Sequence, residues 1–254
     1  MARWNDTVPK KIRIGVGGWT FAPWRGVFYP KGLAHARELS FAARALSSIE
    51  INGTYYSSFK PDSWDKWRDE TPDDFVFAVK ASRYCTNRKV LAEAAAPIER
   101  FLNQGLTRLG PKLGPINWQF MATKKFEPED FEAFLQLLPR KHDGLVLRHA
   151  IEVRHPSFED KKFYTLARRY RVAIVFAPGG KFPQIDEATA DFRYVRVLSS
   201  RQNLKIGLNK TELETLSDKF RAWAKRCDVF AYVISGAKVR NPAAAQALMA
   251  RIKL

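Results

Sequence analysis

Apolar runs rich in β-branched and aromatic residues recur along the chain, and segments with helical spacing separate them. Eight of these runs are predicted strands, at 12–18, 48–53, 75–81, 114–120, 149–155, 171–177, 192–198 and 229–235. Helices are predicted at 34–45, at a short segment carrying Trp64 and Trp67, and at 90–104, 128–138, 159–169, 210–226 and 243–252. A weak or missing helix is expected after the sixth strand.

The alternation of strands and crossover-length segments predicts an α/β fold. Eight such units in 254 residues are typical of a single TIM-type (β/α)8 barrel. A doubly wound open sheet is the alternative, although the GVGG stretch at 15–18 falls short of a dinucleotide-binding fingerprint. No repeat or linker interrupts the pattern. We therefore expect one barrel domain over 12–254 and an N-terminal tail over 1–11.

Polar residues alternate with apolar ones inside several predicted strands. Successive strand residues point to opposite faces, so if Ile151 and Val153 face the outer helices, Glu152 and Arg154 point into the barrel. The same alternation predicts an inward direction for Glu50, Asn52, Lys80, Asn117, Gln119 and Arg196. All but Asn117 fall near the C-terminal end of a strand, where barrel enzymes place their active sites. His155 begins the loop above the fifth strand.

These residues suit the binding of an anion and the transfer of a proton. Arg154 and Arg196 offer planar forks for phosphate or carboxylate, and His155, Asn52 and Gln119 are further candidate ligand contacts. Glu152 or Glu50 is a candidate general base. Lys80 is a candidate electrostatic clamp or Schiff-base nucleophile. The alternative is an ion-pair plug that closes the barrel, with Lys80 paired to Glu50.

The loops above the strands add aromatic and basic candidates. Trp19 and Tyr56 are expected to face a ligand, on whose base or sugar an aromatic ring can stack. Lys238 lies beside the start of the last helix, which Asn241 is expected to cap, and there it could help hold an anion. Ordinary loop packing and capping are the alternative for all of these residues.

The net positive charge of the chain adds polyanions to the candidate partners. The chain has 43 Lys and Arg residues against 26 Asp and Glu, a formal net charge of +17, and a field of this sign attracts polyanions. A phosphorylated small molecule or a nucleic acid is therefore an expected partner, unless the charge is a general surface property. Two classes of function follow: an enzyme that performs acid/base chemistry at the barrel mouth, or a non-catalytic nucleic-acid- or anion-binding protein.

Scarce residue types narrow the chemistry and the location. Cys85 and Cys227 are the only cysteines, which favours a reducing, cytoplasmic environment over a disulfide framework. No long apolar run predicts a membrane span, and the N-terminal residues lack the pattern of a secretory signal. Of four histidines only His155 is near the mouth, so no cofactor or multi-metal site is expected. A single weakly held divalent metal at Glu50, Glu152 and His155 stays open.

Several of these stretches, taken as a set, resemble the YecE-like family, known as domain of unknown function 72. The resemblance covers roughly 12–252. It is carried by IGVGGWTFAPWRGVFYP (14–30), SIEINGTYYSSFKPDSWDKW (48–67), TPDDFVFAVKASRYCTNRK (71–89), IEVRHPSF (151–158) and YVRV (194–197). It implies a TIM-type barrel and a site at these residues, but no particular reaction. The chain departs from the family pattern at VISGAK (233–238), where many members have asparagines, and at Asn87, where many have histidine.

Overall fold

Eight parallel strands form a closed barrel in the computed structural model, which describes residues 11–252. The strands are Ile12–Gly17, Ser48–Ile51, Val76–Lys80, Leu113–Gln119, His149–Glu152, Ala173–Phe176, Phe192–Val197 and Asp228–Val233. Each barrel strand pairs with its neighbours in chain order, and the first also pairs with the eighth. The predicted TIM-type barrel is confirmed. Except for Lys11, the predicted tail over 1–11 lies outside the described residues.

Helices cover the outside of the barrel. The α-helices are Glu38–Ala45, Pro61–Asp69, Arg83–Thr86, Ala95–Leu102, Pro128–Gln136, Lys161–Tyr170, Lys210–Ala224 and Asn241–Ile252. Shorter 3-10 turns lie at Ala22–Trp24, His35–Arg37, Gly53–Tyr55, Leu91–Ala94, Leu106–Lys112, Pro156–Phe158 and Lys238–Arg240. In the described chain no helix lies between the sixth and seventh strands, as expected.

Helix starts follow local hydrogen bonding, with one correction to the sequence analysis. Asn209 caps Lys210–Ala224 through a reciprocal pair of hydrogen bonds with Glu212. The expected capping role of Asn241 is wrong. Its backbone is already helical and continues the preceding 3-10 turn, whereas a capping residue has an extended backbone. Its side-chain oxygen accepts a hydrogen bond from the Ser200 hydroxyl at 2.6 Å.

A small hairpin of Lys141–His142 and Leu145–Val146 precedes the fifth barrel strand and was missing from the predicted elements. Its two-residue turn is Asp143-Gly144, with φ of 44° and 79°. Positive φ at both turn positions matches the right-handed twist of paired strands, and Asp-Gly is a favoured sequence for it.

Two apolar layers hold the barrel together. The larger lies between the strands and the helices and contains Trp64, Trp118 and Phe134. The smaller fills the barrel interior with Val76, Ala78, Ala150, Ala173, Val175, Phe192, Tyr194, Phe230 and Tyr232. Gly15 lets the first two strands approach, because a Cβ there would lie 1.7 Å from the Ser48 carbonyl oxygen. The interior is therefore a packed core up to the level where the charged residues begin.

Two observations bear on the expected location. Cys85 is a buried free thiol, and the Cys227 Sγ lies 3.6 Å from the Trp223 carbonyl oxygen. None of the helices in residues 11–252 combines the length and apolar character that crossing a bilayer requires. The compartment itself stays a prediction.

Candidate functional site

Four buried inward side chains from four strands, with the partly exposed Arg154 just beyond the fifth strand, form one ionic group at the C-terminal mouth. This group is here called the mouth cluster: Glu50, Lys80, Glu152, Arg154 and Arg196. Arg196 bridges the two carboxylates. Its Nη1 donates to Glu152 Oε2 at 2.5 Å and its Nη2 donates to Glu50 Oε2 at 3.1 Å. All three of these side chains are at most 3% exposed. The predicted alternation thus brings residues from strands two, five and seven into direct contact.

The remaining carboxylate oxygens are also occupied. The Tyr194 hydroxyl donates to Glu50 Oε1 at 2.6 Å, and Arg154 donates to Glu152 Oε1 through Nε at 3.1 Å and Nη2 at 3.0 Å. Asn117 Nδ2 donates to both carboxylates at 3.3 Å. All four carboxylate oxygens therefore accept hydrogen bonds.

These contacts decide the charge state of Glu152. Burial alone would raise the pKa of Glu152, but Arg196 and Arg154 outweigh burial and lower this pKa to about 2. Burial likewise lowers the pKa of Arg196, and the two carboxylates more than compensate, so that its pKa is raised. Glu152 and Arg196 are consequently ionised near neutral pH, and Glu152 is a weak base in this arrangement.

Lys80 differs from the other members of the mouth cluster. Its Nζ lies 4.0 Å from the centre of the Tyr55 ring, and within residues 11–252 it makes no ion pair. The side chain is buried, with 8% exposure. Burial lowers the pKa of Lys80 to about 8, with Arg196 adding to the effect and Glu50 opposing it. The ion pair with Glu50, considered as the alternative, is not formed because Arg196 takes that carboxylate.

Two buried polar atoms at the mouth have no hydrogen-bond partner among the described residues, Asn117 Oδ1 and Arg196 Nε. Buried polar groups are normally paired, with protein, water or ligand. The Gln119 amide is engaged differently, because a hydrogen bond from it to Glu152 helps to lower the pKa of that carboxyl. The mouth thus holds one unused guanidinium N–H in addition to the Lys80 ammonium.

His155 is held at the start of the loop above the fifth strand. Its Nδ1 accepts the backbone N–H of Ser157 at 3.1 Å and caps the turn Pro156–Phe158. Nδ1 is therefore not free for a metal or a ligand. Across residues 11–252, no three His, Cys, Asp or Glu side chains are grouped to hold a metal ion. The conceivable set of Glu50, Glu152 and His155 is thus not assembled.

A cavity, here called the ring pocket, lies over the ends of the eighth, first and second strands. Its volume is about 420 Å³. Three predicted ligand contacts line it, Trp19, Asn52 and Lys238, together with Phe59 and Trp67. None of the five residues of the mouth cluster lines this pocket. The predicted site residues are therefore divided between the mouth cluster and the ring pocket.

Tyr56 belongs to neither the mouth cluster nor the ring pocket. It is 65% exposed and lines a separate cavity of about 250 Å³ with Tyr84, Arg88 and Arg100. Sequence reasoning missed two contributors to the mouth. Tyr194 precedes Arg196 by two residues on the same strand, so the alternation could have found it. Tyr55 lies in a 3-10 turn, where no strand period applies.

The fold and the mouth cluster define a TIM-type barrel with an ionic site at the end where barrel enzymes act. The chain belongs to the family described as "Protein of unknown function DUF72", whose profile matches residues 13–254. The resemblance drawn from the sequence is confirmed.

A curated relative gives the same family but a shorter match. The UPF0759 protein YecE of Escherichia coli (strain K12) is 30% identical over 150 residues, which are 58% of this chain and 50% of that protein. The chain thus spans about half the length of the curated relatives it matches.

Solved structures share the barrel. A DUF72 family protein (TM1631) from Thermotoga maritima is 23% identical, with a TM-score of 0.75 over 96% of this chain and 98% of that one. A DUF72 family protein (EF0366) from Enterococcus faecalis is 16% identical, with a TM-score of 0.72 over 96% and 98%. The 3-keto-D-glucoside 4-epimerase YcjR from E. coli is 13% identical, with a TM-score of 0.58 over 96% and 99%. At these identities the likeness concerns the fold alone.

Proposed function

We propose that the mouth cluster is the active site of an enzyme that binds a small anionic substrate and uses Lys80 as its reactive group. The observation that carries this proposal is the position of Lys80, a buried cation beside two carboxylates that are both committed to Arg196. A buried charge without a partner costs free energy. A substrate anion would remove that cost by supplying the missing partner.

The charges of the mouth cluster favour an anion over a cation. The mouth cluster contains three cations and two carboxylates. Among the described residues both carboxylates form ion pairs with arginines, so Lys80 is the cation without a carboxylate partner. Arg154 uses Nε and Nη2 for Glu152 and keeps part of its guanidinium at the surface, 4.7 Å from the Phe182 ring. Lys80 and the accessible part of the Arg154 guanidinium thus offer donors for a phosphate or a carboxylate.

Roles can be assigned by what each group still has available. With a pKa near 8, a fraction of Lys80 is the free amine at neutral pH, so it can accept a proton or attack a carbonyl. Glu50 and Glu152, the other candidate bases, hold Arg196 and Arg154 in place through their ion pairs. We therefore assign the reactive role to Lys80 and a positioning role to the two glutamates.

Trapping with a carbonyl reagent tests this assignment without a known substrate. The protein is incubated with glyceraldehyde 3-phosphate and borohydride. The Lys80 amine would add to the aldehyde and lose water, and hydride from borohydride would reduce the resulting imine. At aldehyde concentrations far below saturation, peptide mass mapping should find the adduct on Lys80, with a rate that rises through a midpoint near the ligand-free pKa of about 8. Neutral glyceraldehyde should react more slowly, and Lys80→Arg should keep the charge but lose the adduct.

Two results would overturn the proposal. One is labelling spread over surface lysines with no preference for Lys80. The other is an equal rate for the phosphorylated and the neutral aldehyde, since the mouth would then have no preference for an anion.

The exposed tyrosines favour a second candidate, nucleic-acid binding without catalysis. The Arg83 guanidinium lies 5.9 Å from the Tyr56 ring and 5.4 Å from the Tyr84 ring, on a chain of net charge +17. Exposed aromatic rings and cations are typical of single-strand binding surfaces. A labelled single-stranded oligonucleotide should then bind more weakly to the Tyr56→Ala, Tyr84→Ala double variant at every salt concentration. If salt abolishes binding equally in both proteins, the charge acts only as a general field.

A further inference from the structure

The ring pocket contains a buried acceptor that no described donor satisfies. Asn52 Oδ1 is inaccessible to solvent and has no hydrogen-bond partner within residues 11–252. Leaving such a group unpaired costs about 1–3 kcal/mol. A ligand with an N–H or O–H group would satisfy it.

Gly17 provides the space in which the Asn52 amide lies. A Cβ at position 17 would come 2.5 Å from Asn52 Nδ2 and 3.0 Å from Ile234 Cδ1. Any larger residue would force the amide to move. The first strand therefore ends in a glycine at the position where the Asn52 side chain occupies the space of a Cβ.

The walls of the ring pocket are flat and aromatic. Trp19 packs edge-on against Trp67 with ring centres 5.2 Å apart, and Phe59 packs against Trp67 at 4.9 Å. These contacts fix the rings relative to one another. A volume of about 420 Å³ falls in the range of small-molecule sites, roughly 300 to 1,000 Å³. Aromatic rings that line a pocket of this size offer stacking or edge-to-face contacts to a planar ligand.

Lys238 is the charged residue among the described pocket-lining residues. Its Nζ lies 4.3 Å from the Phe21 ring centre, and the described part of the chain gives it no ion pair. No described carboxylate lines the pocket. The pocket therefore combines aromatic walls, one amide and one cation.

We propose that the ring pocket binds a nucleotide, with the base between the aromatic walls, the Asn52 amide on the base edge and Lys238 on the phosphate. An amide presents a donor and an acceptor side by side, which matches the paired acceptor and donor on a base edge. A sugar carries more hydroxyl groups than the Asn52 amide and the Thr20 hydroxyl can satisfy, so a base fits these partners better. The site goes beyond the function proposed for Lys80, because the two share no lining residue.

Calorimetric titration with the four 5′-ribonucleotides tests this site, with ribose 5-phosphate and glucose 6-phosphate as ligands that lack a base. At least one nucleotide should bind more tightly than both sugar phosphates. Asn52→Leu should weaken nucleotide binding by about tenfold or more, because the base edge loses its partner. Asn203→Leu, at an exposed loop position outside the pocket, is the matched control and should have no effect.

Two further variants separate the parts of the ligand. Lys238→Met should weaken binding of a nucleotide but leave binding of the corresponding nucleoside unchanged, whereas Lys225→Met, at an exposed position outside the pocket, should change neither. Gly17→Ala should weaken both, since its Cβ displaces the Asn52 amide. Urea midpoints of all variants establish that they are folded. Asn52→Asp, which keeps the acceptor, serves as the second variant if Asn52→Leu does not fold.

Equal affinity for nucleotides and sugar phosphates would overturn the proposal, and so would equal effects of Asn52→Leu and Asn203→Leu. A short single-stranded oligonucleotide distinguishes the source of the base. Tighter binding of the strand than of the mononucleotide, with the same dependence on Asn52, would identify the end of a nucleic-acid strand. Lys80→Met separates the two sites: if it leaves nucleotide affinity unchanged, the ring pocket stands whatever the fate of the function proposed for Lys80.

Discussion

The two ends of the barrel interior hold their charges in different ways. At the N-terminal end, Arg148 pairs with Asp228 at 3.1 Å, and both side chains are about one third exposed. The Arg148 guanidinium also lies 4.7 Å from the Phe230 ring. At the C-terminal end, Glu50, Glu152 and Arg196 are almost completely buried and depend on one another.

This difference bears on the role proposed for the mouth cluster. An exposed ion pair adds little free energy and a buried one carries a desolvation cost of several kcal/mol per ion. The seventh strand shows the change along one face, from Phe192 through Tyr194 to Arg196. The chain fills the lower interior with apolar rings. A buried ionic group above them agrees with the proposal that the mouth cluster binds a ligand.

The largest effect is expected from Arg196→Met. The substitution leaves Glu50 and Glu152 buried without their shared cation, which should lower the free energy of unfolding by about 3–5 kcal/mol. Urea unfolding monitored by tryptophan fluorescence measures the loss. A loss in the free energy of unfolding smaller than about 1 kcal/mol, the contribution of an exposed ion pair, would contradict the burial of the two carboxylates against Arg196.

A somewhat smaller loss of stability is expected when acid protonates Glu152. Its folded pKa of about 2 lies below the ordinary value of 4.5, so the stability it contributes is fully present above that ordinary value and is lost as pH falls toward 2. The shift corresponds to about 3 kcal/mol. The stability difference between the natural protein and Glu152→Gln, measured from urea midpoints, should therefore fall by about this amount across that window. A constant difference would contradict the lowered pKa.

Lys80→Met should stabilise the protein at neutral pH, by roughly 1–3 kcal/mol, because it removes a buried unpaired cation. The folded pKa of about 8 lies below the ordinary 10.5, so between these values the unfolded chain binds more protons and the stability of the natural protein rises with pH. The advantage of the variant should shrink over the same window. Lys80→Arg, which keeps the charge, is the control and should bring no gain. A destabilised Lys80→Met would indicate that Lys80 supports the fold.

The smallest effect is expected at the opposite end. Arg148→Met breaks a partly exposed ion pair and should lower the free energy of unfolding by about 1 kcal/mol or less. The same urea experiment compares it directly with Arg196→Met. Equal losses at the two ends would remove the distinction drawn between them.

Much of the fold follows from patterns within single segments. The strand count, the missing helix after the sixth strand and the inward direction of Glu152 and Arg196 depend only on local periodicity. The hairpin around Asp143-Gly144 carried a recognisable turn signal, but its two-residue strands were too short to stand out.

The pairing inside the mouth does not follow from such patterns, because it depends on register between strands. Glu50 lies opposite Ala78 in the strand register, not opposite Lys80. Lys80 is therefore the next inward-facing residue toward the C-terminal end of its strand. Arg196 instead reaches both carboxylates across the barrel. The division of the predicted residues between the mouth cluster and the ring pocket depends on loop paths, for which the strand period gives no information.

The buried ammonium of Lys80 also has a consequence for calorimetry. An anion that settles beside this group raises its pKa, so near pH 8 the complex takes up a proton from the buffer. The observed heat of binding then includes the ionisation enthalpy of the buffer and changes between tris and phosphate. A compound whose binding heat varies in this way, and no longer does so in Lys80→Met, engages the mouth even if no turnover has been seen.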